Sequence, residues 1–239
     1  MIESKYLQVT QPKDTVSDKY RFISTAQFVA DVEMSGFKLT SIQGRSPSGY
    51  GKHLMTFERP DLSLPNGDKI RLLCFTSHDG TKAFNLFLGY YRLVCSNGMM
   101  VGTTLNSYRI IHTGYALSKV NEALNACLSQ VDALKAQVAL LASTELTVAQ
   151  ETLLANLYAA EVGALEPMDL ITAHRDADIG TNAWLVLNRI QENVVHGNFT
   201  RKGSKGEVVS ARRITGAQRL VSFNRDIWDA VVNTVKQAA

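Results

Sequence analysis

Short apolar runs separated by turn-forming residues make up most of the first half of the chain. They lie at 37–42, 53–57, 69–75 and 83–88 and are rich in aromatic and β-branched residues, a composition typical of strands. Turn-forming residues at 65–68 and 78–80 separate the later runs, and Asn66-Gly67 favours a hairpin. The pattern predicts an antiparallel β-meander. Before it, Phe28, Val29 and Val32 have helical spacing and predict a short helix over 25–35 that packs on the sheet.

The second half has the spacing of helices. Apolar residues follow one another at alternating intervals of three and four, at Leu117, Val120, Leu124, Cys127, Val131, Leu134, Val138 and Leu141. This spacing predicts one long helix of about seven turns with a narrow apolar seam. Thr147 and Gln150 form a capping-box pattern that predicts a second helix to about Leu165. The short connection between the two helices predicts an antiparallel helical hairpin, and the seam suits either internal packing or another subunit.

Two further helices are expected near the C-terminus. Gly180-Thr181-Asn182 offers a cap for a helix with Trp184, Leu187, Ile190 and Val194 on one face. Thr215 and Gln218 form a second capping pattern, before the last helix. Between these helices, the glycine-rich and charged segment 199–213 predicts a mobile loop or a β-turn excursion.

The predicted fold class is therefore α+β. It consists of an antiparallel β-meander with a short N-terminal helix, followed by a long helical hairpin and two C-terminal helices. We expect residues 1–115 to form the sheet core. Residues 116–239 would supply the helices and the basic loop, packed on that core as one domain.

Composition indicates an ordinary soluble protein. Of the 239 residues, 45% are apolar and 20% are charged, and the formal net charge is +3, which excludes bulk disorder. Cys74, Cys95 and Cys127 lie far apart without a Cys-x-x-Cys pair, a usage that favours a reducing compartment. The N-terminus lacks the apolar run of a signal peptide. We therefore expect a cytoplasmic protein without a membrane partner.

Charge is segregated along the chain. Residues 120–178 contain nine acidic and two basic side chains, whereas residues 197–225 contain seven basic and one acidic side chain. Such segregation is typical of a surface that binds polyanions, although a solvated basic loop has the same composition.

Enzymatic chemistry has weak support in the sequence. Cys95 with His112 as base is the first candidate, but a spacing of seventeen residues does not establish contact. The five histidines stand singly, without a metal-binding pair. His174, Asp176 and Asp178 are the nearest approach to a metal-dependent nuclease centre. We expect a non-enzymatic protein with no catalytic residue, no metal and no cofactor, and keep a metal-dependent nuclease as the third hypothesis.

Nucleic-acid binding has better support. Several cations flank flexible glycines and can follow a phosphate backbone, while tyrosines and Phe199 are candidate stacking surfaces for unpaired bases. The candidate binding residues are Arg201, Lys202, Lys205, Arg212, Arg213 and Arg219 in the basic segment, and Arg45, Tyr50, Lys52, Tyr91, Arg92 and Arg109 on or near the sheet. No clustered recognition helix is evident, so the pattern favours single strands over a duplex groove.

Two local motifs resemble a known family. The segment 89–102, GYYRLVCSNGMMVG, resembles an "R-x-V-C-S-N-G-M" run, and Arg109-Ile110-Ile111-His112-Thr113 resembles an "R-I-x-H-T" run. Both runs occur in the phage- and plasmid-encoded family called domain of unknown function 932. Asn224 and Trp228 are similar to that family's final "N-x-x-x-W" run.

The order of elements resembles a second group, the phage single-strand annealing proteins of the Red-beta and Erf type. Those proteins combine a small β-β-β-α core with added helices and assemble into rings or helical filaments on single-stranded DNA. The resemblance implies a single-stranded DNA-binding protein of a phage or plasmid that forms homo-oligomers in the cytoplasm of a bacterial host and acts in strand annealing and DNA recombination. The acidic middle segment departs from that pattern.

Self-association would use the seam or an edge of the sheet. The alternative function is a non-enzymatic interaction module that inhibits a host restriction or defence system, with the acidic hairpin as its working surface.

Overall fold

An antiparallel sheet forms because the apolar runs of the first half pair in sequence order. In this computed structural model, which describes residues 3–63, 69–91, 99–101, 108–214 and 217–238, the sheet order is β1-β2-β3-β4-β5, and a sixth strand also pairs with β4. The strands are β1 (Lys38–Gly44), β2 (His53–Ser63), β3 (Lys69–Thr76), β4 (Phe84–Tyr91), β5 (Met99–Val101) and β6 (Tyr108–Ile110). The predicted meander is confirmed.

Both faces of the central strand β3 are buried. Leu72 and Cys74 belong to the main core, which also contains side chains of the helices, whereas Leu73 and Phe75 form a smaller cluster with Leu54 and Phe87. Alternate residues of a strand point to opposite faces, which explains why neighbours in β3 join different clusters. Helix α1 (Thr25–Glu33) packs on the main core through residues including Phe28 and Val32, as predicted.

The predicted long helix is bent into two. Helix α2 (Leu117–Leu128) ends and α3 (Val131–Ser143) begins on either side of Ser129 and Gln130. Here the backbone tightens, since the N–H of Gln130 donates to the carbonyl of Cys127, three residues back. The Ser129 hydroxyl donates to the carbonyl of Ala126 at 2.8 Å, a side-chain bond that competes with helical backbone pairing. The predicted long helix is therefore present, with a bend at Ser129 and Gln130 that the apolar spacing did not predict.

The apolar seam is covered within the chain. Val120, Leu124, Leu134, Val138 and Leu141 are all buried in the main core, and Leu117 at the helix start is 39% exposed. The interpretation of the seam as a surface for another subunit is therefore wrong, because its side chains already have apolar neighbours. Of the two assembly routes expected from the sequence, the sheet edge remains, and β1 lies at one edge.

Helix α4 (Val148–Val162) begins with the predicted capping box. The Thr147 hydroxyl accepts from the N–H of Gln150, and the Gln150 side chain accepts from the N–H of Thr147. The α3–α4 connection is short, as predicted, and it pairs with the residues before α5: the N–H of Leu146 donates to the carbonyl of Thr181 at 2.9 Å. Both α3 and α4 pack on α5.

Helix α5 (Ala183–His196) lies at the centre of the helical half. Its N-cap is Asn182, as predicted, whose side chain accepts from the N–H of Leu185. Helix α6 (Ala217–Ala238) packs beside it. The ring centroids of Trp184 and Trp228 lie 6.5 Å apart in an edge-to-face arrangement. The predicted cap at Thr215 lies outside the described residues. In the described part of the chain, no helix has the length and apolar character needed to cross a membrane.

The basic segment between α5 and α6 forms a hairpin. Strand β7 (Thr200–Lys202) pairs with β8 (Val208–Ser210), and Gly206 in the turn has φ 84°. Of the two sequence-based alternatives, the β-turn excursion is confirmed. The hairpin presents its cations outward, since Arg201, Lys202 and Lys205 are all exposed.

A buried histidine pair joins α1 to the sheet. His53 and His78 are fully buried, and the Thr25 hydroxyl lies 2.9 Å and 2.7 Å from their respective Nε2 atoms. Burial lowers the pKa of both imidazoles to about 4. Both rings are therefore neutral in the folded protein at neutral pH.

We expect acid to destabilise the fold through this pair. An unfolded histidine titrates near pH 6.5, so between pH 6.5 and 4 the unfolded chain binds more protons, and the free energy of unfolding falls by up to about 1.4 kcal/mol per pH unit for each histidine. Urea unfolding at pH 7 and pH 5 measures this loss. His78→Gln should weaken the pH dependence, because it removes one of the two buried imidazoles. Equal pH dependence in His78→Gln and the unaltered chain would contradict this assignment.

Candidate functional site

A cleft of about 330 Å³ lies beside the basic hairpin, and five arginines line it. We call it the arginine cleft; its cations are Arg45, Arg201, Arg212, Arg213 and Arg219. Its apolar floor consists of Val162, Val194, Phe199, Ala211 and Ile214. The lining comes from four separate parts of the chain, so the site exists only in the folded protein.

Backbone hydrogen bonds fix the pair Arg212 and Arg213. On one side, the N–H of Ala211 donates to the carbonyl of Phe199 at 2.9 Å; on the other, the N–H of Ile214 donates to the carbonyl of Val195 at 2.8 Å. The two arginines are thus held between two anchored residues while their own side chains are exposed.

Gly197 allows the backbone of Ala211 to pack closely against the end of α5. It ends α5 with φ 76°, in the left-handed region that favours glycine. A Cβ at this position would lie 2.6 Å from the carbonyl oxygen of Ala211. Any other residue would therefore push the segment carrying Arg212 away from the end of α5. Sequence reasoning missed this role, although a glycine after a helix-forming run is a usual helix-ending signal.

Arg201 is held by β7. It pairs with Val209 in the hairpin, and the neighbouring Thr200 accepts at its carbonyl from the N–H of Leu165 at 2.9 Å. This bond ties the hairpin to the end of α4. Arg201 therefore lies on a two-stranded hairpin at the border of the arginine cleft.

Arg45 enters the same cleft from the sheet. It follows directly on β1, where the N–H of Ser46 donates to the Tyr6 hydroxyl at 3.0 Å. A Cβ on the preceding Gly44 would lie 2.2 Å from that hydroxyl oxygen, so the turn is closely packed. From the sequence alone, Arg45 is expected on or near the sheet. The structure instead brings it to the basic segment, more than 150 positions further along the chain.

Arg219 lies near the start of α6, whose first turn contains no acidic residue. A helix N-terminus carries partial positive charge, so a cation there is electrostatically unfavourable, while an anion is favoured. The helix start therefore adds to the positive potential of the arginine cleft.

In the part of the chain that the structure describes, the cleft arginines stay outside the ion pairs. Within the described residues, arginine ion pairs form elsewhere, for example Arg175 with Asp178 at 2.9 Å, and none of the five cleft arginines takes part in one. Several like charges around one cleft repel one another unless an anion enters. The chemistry of the cleft thus suits a ligand with several negative charges.

Titrating groups around the cleft reflect the same field. Desolvation and the nearby Arg213 guanidinium lower the pKa of His196. Desolvation and Asp226 raise the pKa of Glu161, against the opposing effect of Arg219. The charge of the cleft arginines thus acts on titrating groups of both α4 and α5.

A second cleft of about 490 Å³ adjoins the first at the end of α4. We call it the helix-end cleft. Its walls are Asn156, Ala159, Ala160, Val162, Gly163, Ala164, Leu165 and Pro167, with Arg201 and Lys202 at the rim. Val162 and Arg201 line both clefts, which makes the two spaces neighbours.

The remaining predicted binding residues are dispersed. Lys205 is exposed in the hairpin turn, and neither Tyr50, Lys52 nor Arg109 lines either cleft. Phe199 is 8% exposed and lines the arginine cleft. Arg92 and Cys95 lie outside the described residues. Tyr91 ends β4, where the structure describes the backbone alone.

Residues considered for enzymatic chemistry are used in packing where the structure describes them. The His112 Nε2 atom lies 3.1 Å from the carbonyl oxygen of Lys82, in a buried position. Asp178 is 1% exposed and accepts from Arg175, while His174 contacts Asn193 at 2.7 Å. In the described ranges, no three histidine, cysteine or acidic side chains group in a way that could hold a metal ion. The nuclease hypothesis thus loses its proposed cluster.

Comparison with known families places the chain. The family described as Domain of unknown function (DUF932) matches residues 12–215. The chain belongs to this family. Two relatives from Escherichia coli (strain K12) are the UPF0380 protein YafZ, 23% identical over 222 residues, and the UPF0380 protein YfjQ, 22% identical over 222 residues. Each alignment covers 89% of this chain and 81% of the relative. No solved structure matches the chain.

Several residues that carry the resemblance noted in the sequence lie in the core. Ile110 and His112 are buried, and so are Asn224 and Trp228, which lie beyond the matched residues 12–215. The Gln191 side chain donates to the Asn224 side-chain oxygen at 3.3 Å, which links α5 to α6. These motif residues therefore hold the fold that positions the arginine cleft.

Proposed function

We propose that this DUF932 protein binds single-stranded DNA through the phosphates of the strand, which lie in the arginine cleft. The observation that carries the proposal is the convergence of Arg45, Arg201, Arg212, Arg213 and Arg219 on one cleft, where none of them forms an ion pair with another described residue. Arginine forks suit phosphate oxygens and stay charged at any physiological pH. Release of condensed counterions then favours binding.

The shape of the site supports a single strand over a duplex. The arginines line a concave space of about 330 Å³ rather than a protruding helix. Duplex readers insert a helix or a β-ribbon into a groove about 12 Å wide. A cleft that takes only a backbone leaves the bases of the strand available for pairing.

We further propose that binding promotes strand annealing in recombination, in the cytoplasm of a bacterium that carries a phage or plasmid. Neutralising phosphate repulsion while the bases stay exposed accelerates pairing without ATP or any catalytic residue. One cleft spans few nucleotides, so this activity requires several subunits on one strand, in a ring or filament like those of the annealing proteins that the element order resembles. The β1 edge is the route for that contact.

A protein-interaction module is the second candidate, because α4 carries exposed apolar side chains. Leu153 and Leu157 are 62% and 52% exposed on this acidic part of the chain. In that function the arginine cleft would be incidental. Loss of single-strand binding on replacing cleft arginines therefore separates the two candidates.

The sharpest test compares two arginines. Arg45 lines the cleft, whereas Arg109 is an exposed arginine of β6 outside both clefts. Fluorescence anisotropy with a labelled oligonucleotide should give about fivefold weaker binding for Arg45→Ala at 0.1 M salt, from the loss of one phosphate contact. Arg109→Ala should stay within about twofold of the unaltered protein. Equal affinities of the two variants would contradict the proposal.

A further inference from the structure

Arg201 stands between two clefts of different chemistry. One side of it faces the other four arginines, and the other side faces the helix-end cleft, whose walls are mostly apolar. In a nucleic-acid strand, each phosphate is followed by a sugar that carries a base. A phosphate bound at Arg201 therefore brings a base to the helix-end cleft.

The helix-end cleft offers hydrogen-bond acceptors to the edge of a base. It lies at the C-terminal end of α4, which ends at Val162. The last turn of a helix leaves carbonyl oxygens without intrahelical partners. The carbonyl of Ala159 accepts from the N–H groups of Gly163 and Ala164, and the later carbonyls can accept from the N–H groups on the edge of a base. The two cations that line this cleft, Arg201 and Lys202, can hold phosphates next to that base.

The walls also suit the flat faces of a base. Ala159, Val162, Leu165 and Pro167 supply apolar surface, and the Asn156 side chain offers an amide that can both donate and accept. The volume of about 490 Å³ falls within the range of about 300–1,000 Å³ typical of small-molecule sites. Unpaired bases are commonly held by such a combination of an apolar wall and edge hydrogen bonds.

We propose that the helix-end cleft is a base-binding subsite, which receives an unpaired nucleobase of the strand whose phosphates occupy the arginine cleft. This inference rests on the proposed function and adds to it a contact that phosphates cannot make. One base per subunit is turned toward the protein, while the neighbouring bases stay free to pair. The subsite distinguishes a strand with bases from a bare sugar-phosphate backbone of equal charge.

The test compares a normal oligonucleotide with an abasic one of the same length. Both carry the same phosphates, so they are expected to show the same salt dependence, since that dependence counts phosphate contacts. We expect the unaltered protein to bind the normal strand about tenfold more tightly, toward the lower end of the range that a base stacked on an aromatic ring gives, since the walls of this cleft are small apolar side chains. This comparison requires no variant and cannot be confused with misfolding.

A filled variant localises the effect. Asn156 and Ala160 are exposed neighbours on one face of α4, so Asn156→Leu/Ala160→Leu should obstruct the helix-end cleft and preserve the helix. We expect this variant to bind the normal strand only as tightly as the abasic one. The matched control, Asn121→Leu/Ala133→Leu, changes an exposed asparagine and an exposed alanine outside both clefts and should keep the tenfold preference.

The possible results distinguish a failure of the base-binding subsite from a failure of the proposed phosphate site. If the unaltered protein binds both strands equally and Arg45→Ala still weakens binding, the subsite is wrong and the phosphate site stands. A preference that survives in the filled variant would place the base contact elsewhere and overturn the subsite. Failure to bind either strand would overturn the proposed function and the subsite together.

Discussion

We expect the Arg212→Ala/Arg213→Ala double variant to bind single-stranded DNA about 25-fold more weakly at 0.1 M salt. Each lost phosphate contact flattens the slope of log affinity against log salt concentration by about 0.7. At 0.1 M salt, the loss of two contacts therefore lowers the logarithm of the binding constant by about 1.4. Both side chains are exposed, and their backbone is anchored by Ala211 and Ile214. The fold should therefore tolerate the change.

The loss should be the same for every strand sequence, because these arginines contact phosphates and read no base. Anisotropy titrations at several salt concentrations give affinity and slope together. The matched control is Lys13→Ala/Lys19→Ala, which removes two exposed cations outside both clefts. Tight binding with an unchanged slope in the arginine double variant would mean that the strand lies elsewhere on the protein.

Arg189→Met should destabilise the fold by about 3–5 kcal/mol, the usual cost of removing one partner from a buried ionic network. Arg189 is 6% exposed. Its Nη1 donates to the carbonyls of Asp178 at 2.7 Å and Gly180 at 2.6 Å, and Glu151 lies 3.7 Å from Nη2. Methionine retains apolar volume but leaves these acceptors unpaired.

Urea unfolding monitored by circular dichroism measures this effect. Arg219→Met serves as the control, since Arg219 is exposed and forms no ion pair with another described residue. Its free energy of unfolding should change by no more than about 0.5 kcal/mol. A loss below about 1 kcal/mol for Arg189→Met would show that the network contributes little to stability, contrary to the general cost of unpaired buried groups.

Sequence patterns predicted the local elements of this fold. The strands formed where aromatic and branched residues cluster, and Thr147 and Asn182 cap helices as expected. Such signals lie within a few residues of one another, so they survive in any tertiary arrangement. The apolar spacing of α5 did not predict that its polar face is buried as well, with Arg189 and Asn193. Backbone carbonyls in the segment 170–180 accept hydrogen bonds from both side chains and help to make that burial possible.

The candidate site was only half predictable, because part of it is assembled by contacts between residues far apart in the sequence. Charge segregation pointed to Arg201, Arg212, Arg213 and Arg219, which lie close in sequence. Arg45 joined them through the fold, because the turn after β1 packs on Tyr6 and faces the end of α5. The helix-end cleft has no sequence signal at all, since its walls are small and apolar residues that occur in any helix.

The salt dependence of single-strand affinity for the unaltered protein tests the central claim most directly. Five cleft arginines that each contact a phosphate predict a log–log slope near −3.5, from about −0.7 per contact. The titration needs one labelled oligonucleotide and salt concentrations from about 0.05 to 0.2 M, a range over which such affinities fall measurably. A slope near −3.5 with affinity for the single strand above that for a duplex is the predicted result. A slope close to zero, or binding that favours the duplex, would contradict the assignment of the arginine cleft as a single-strand site.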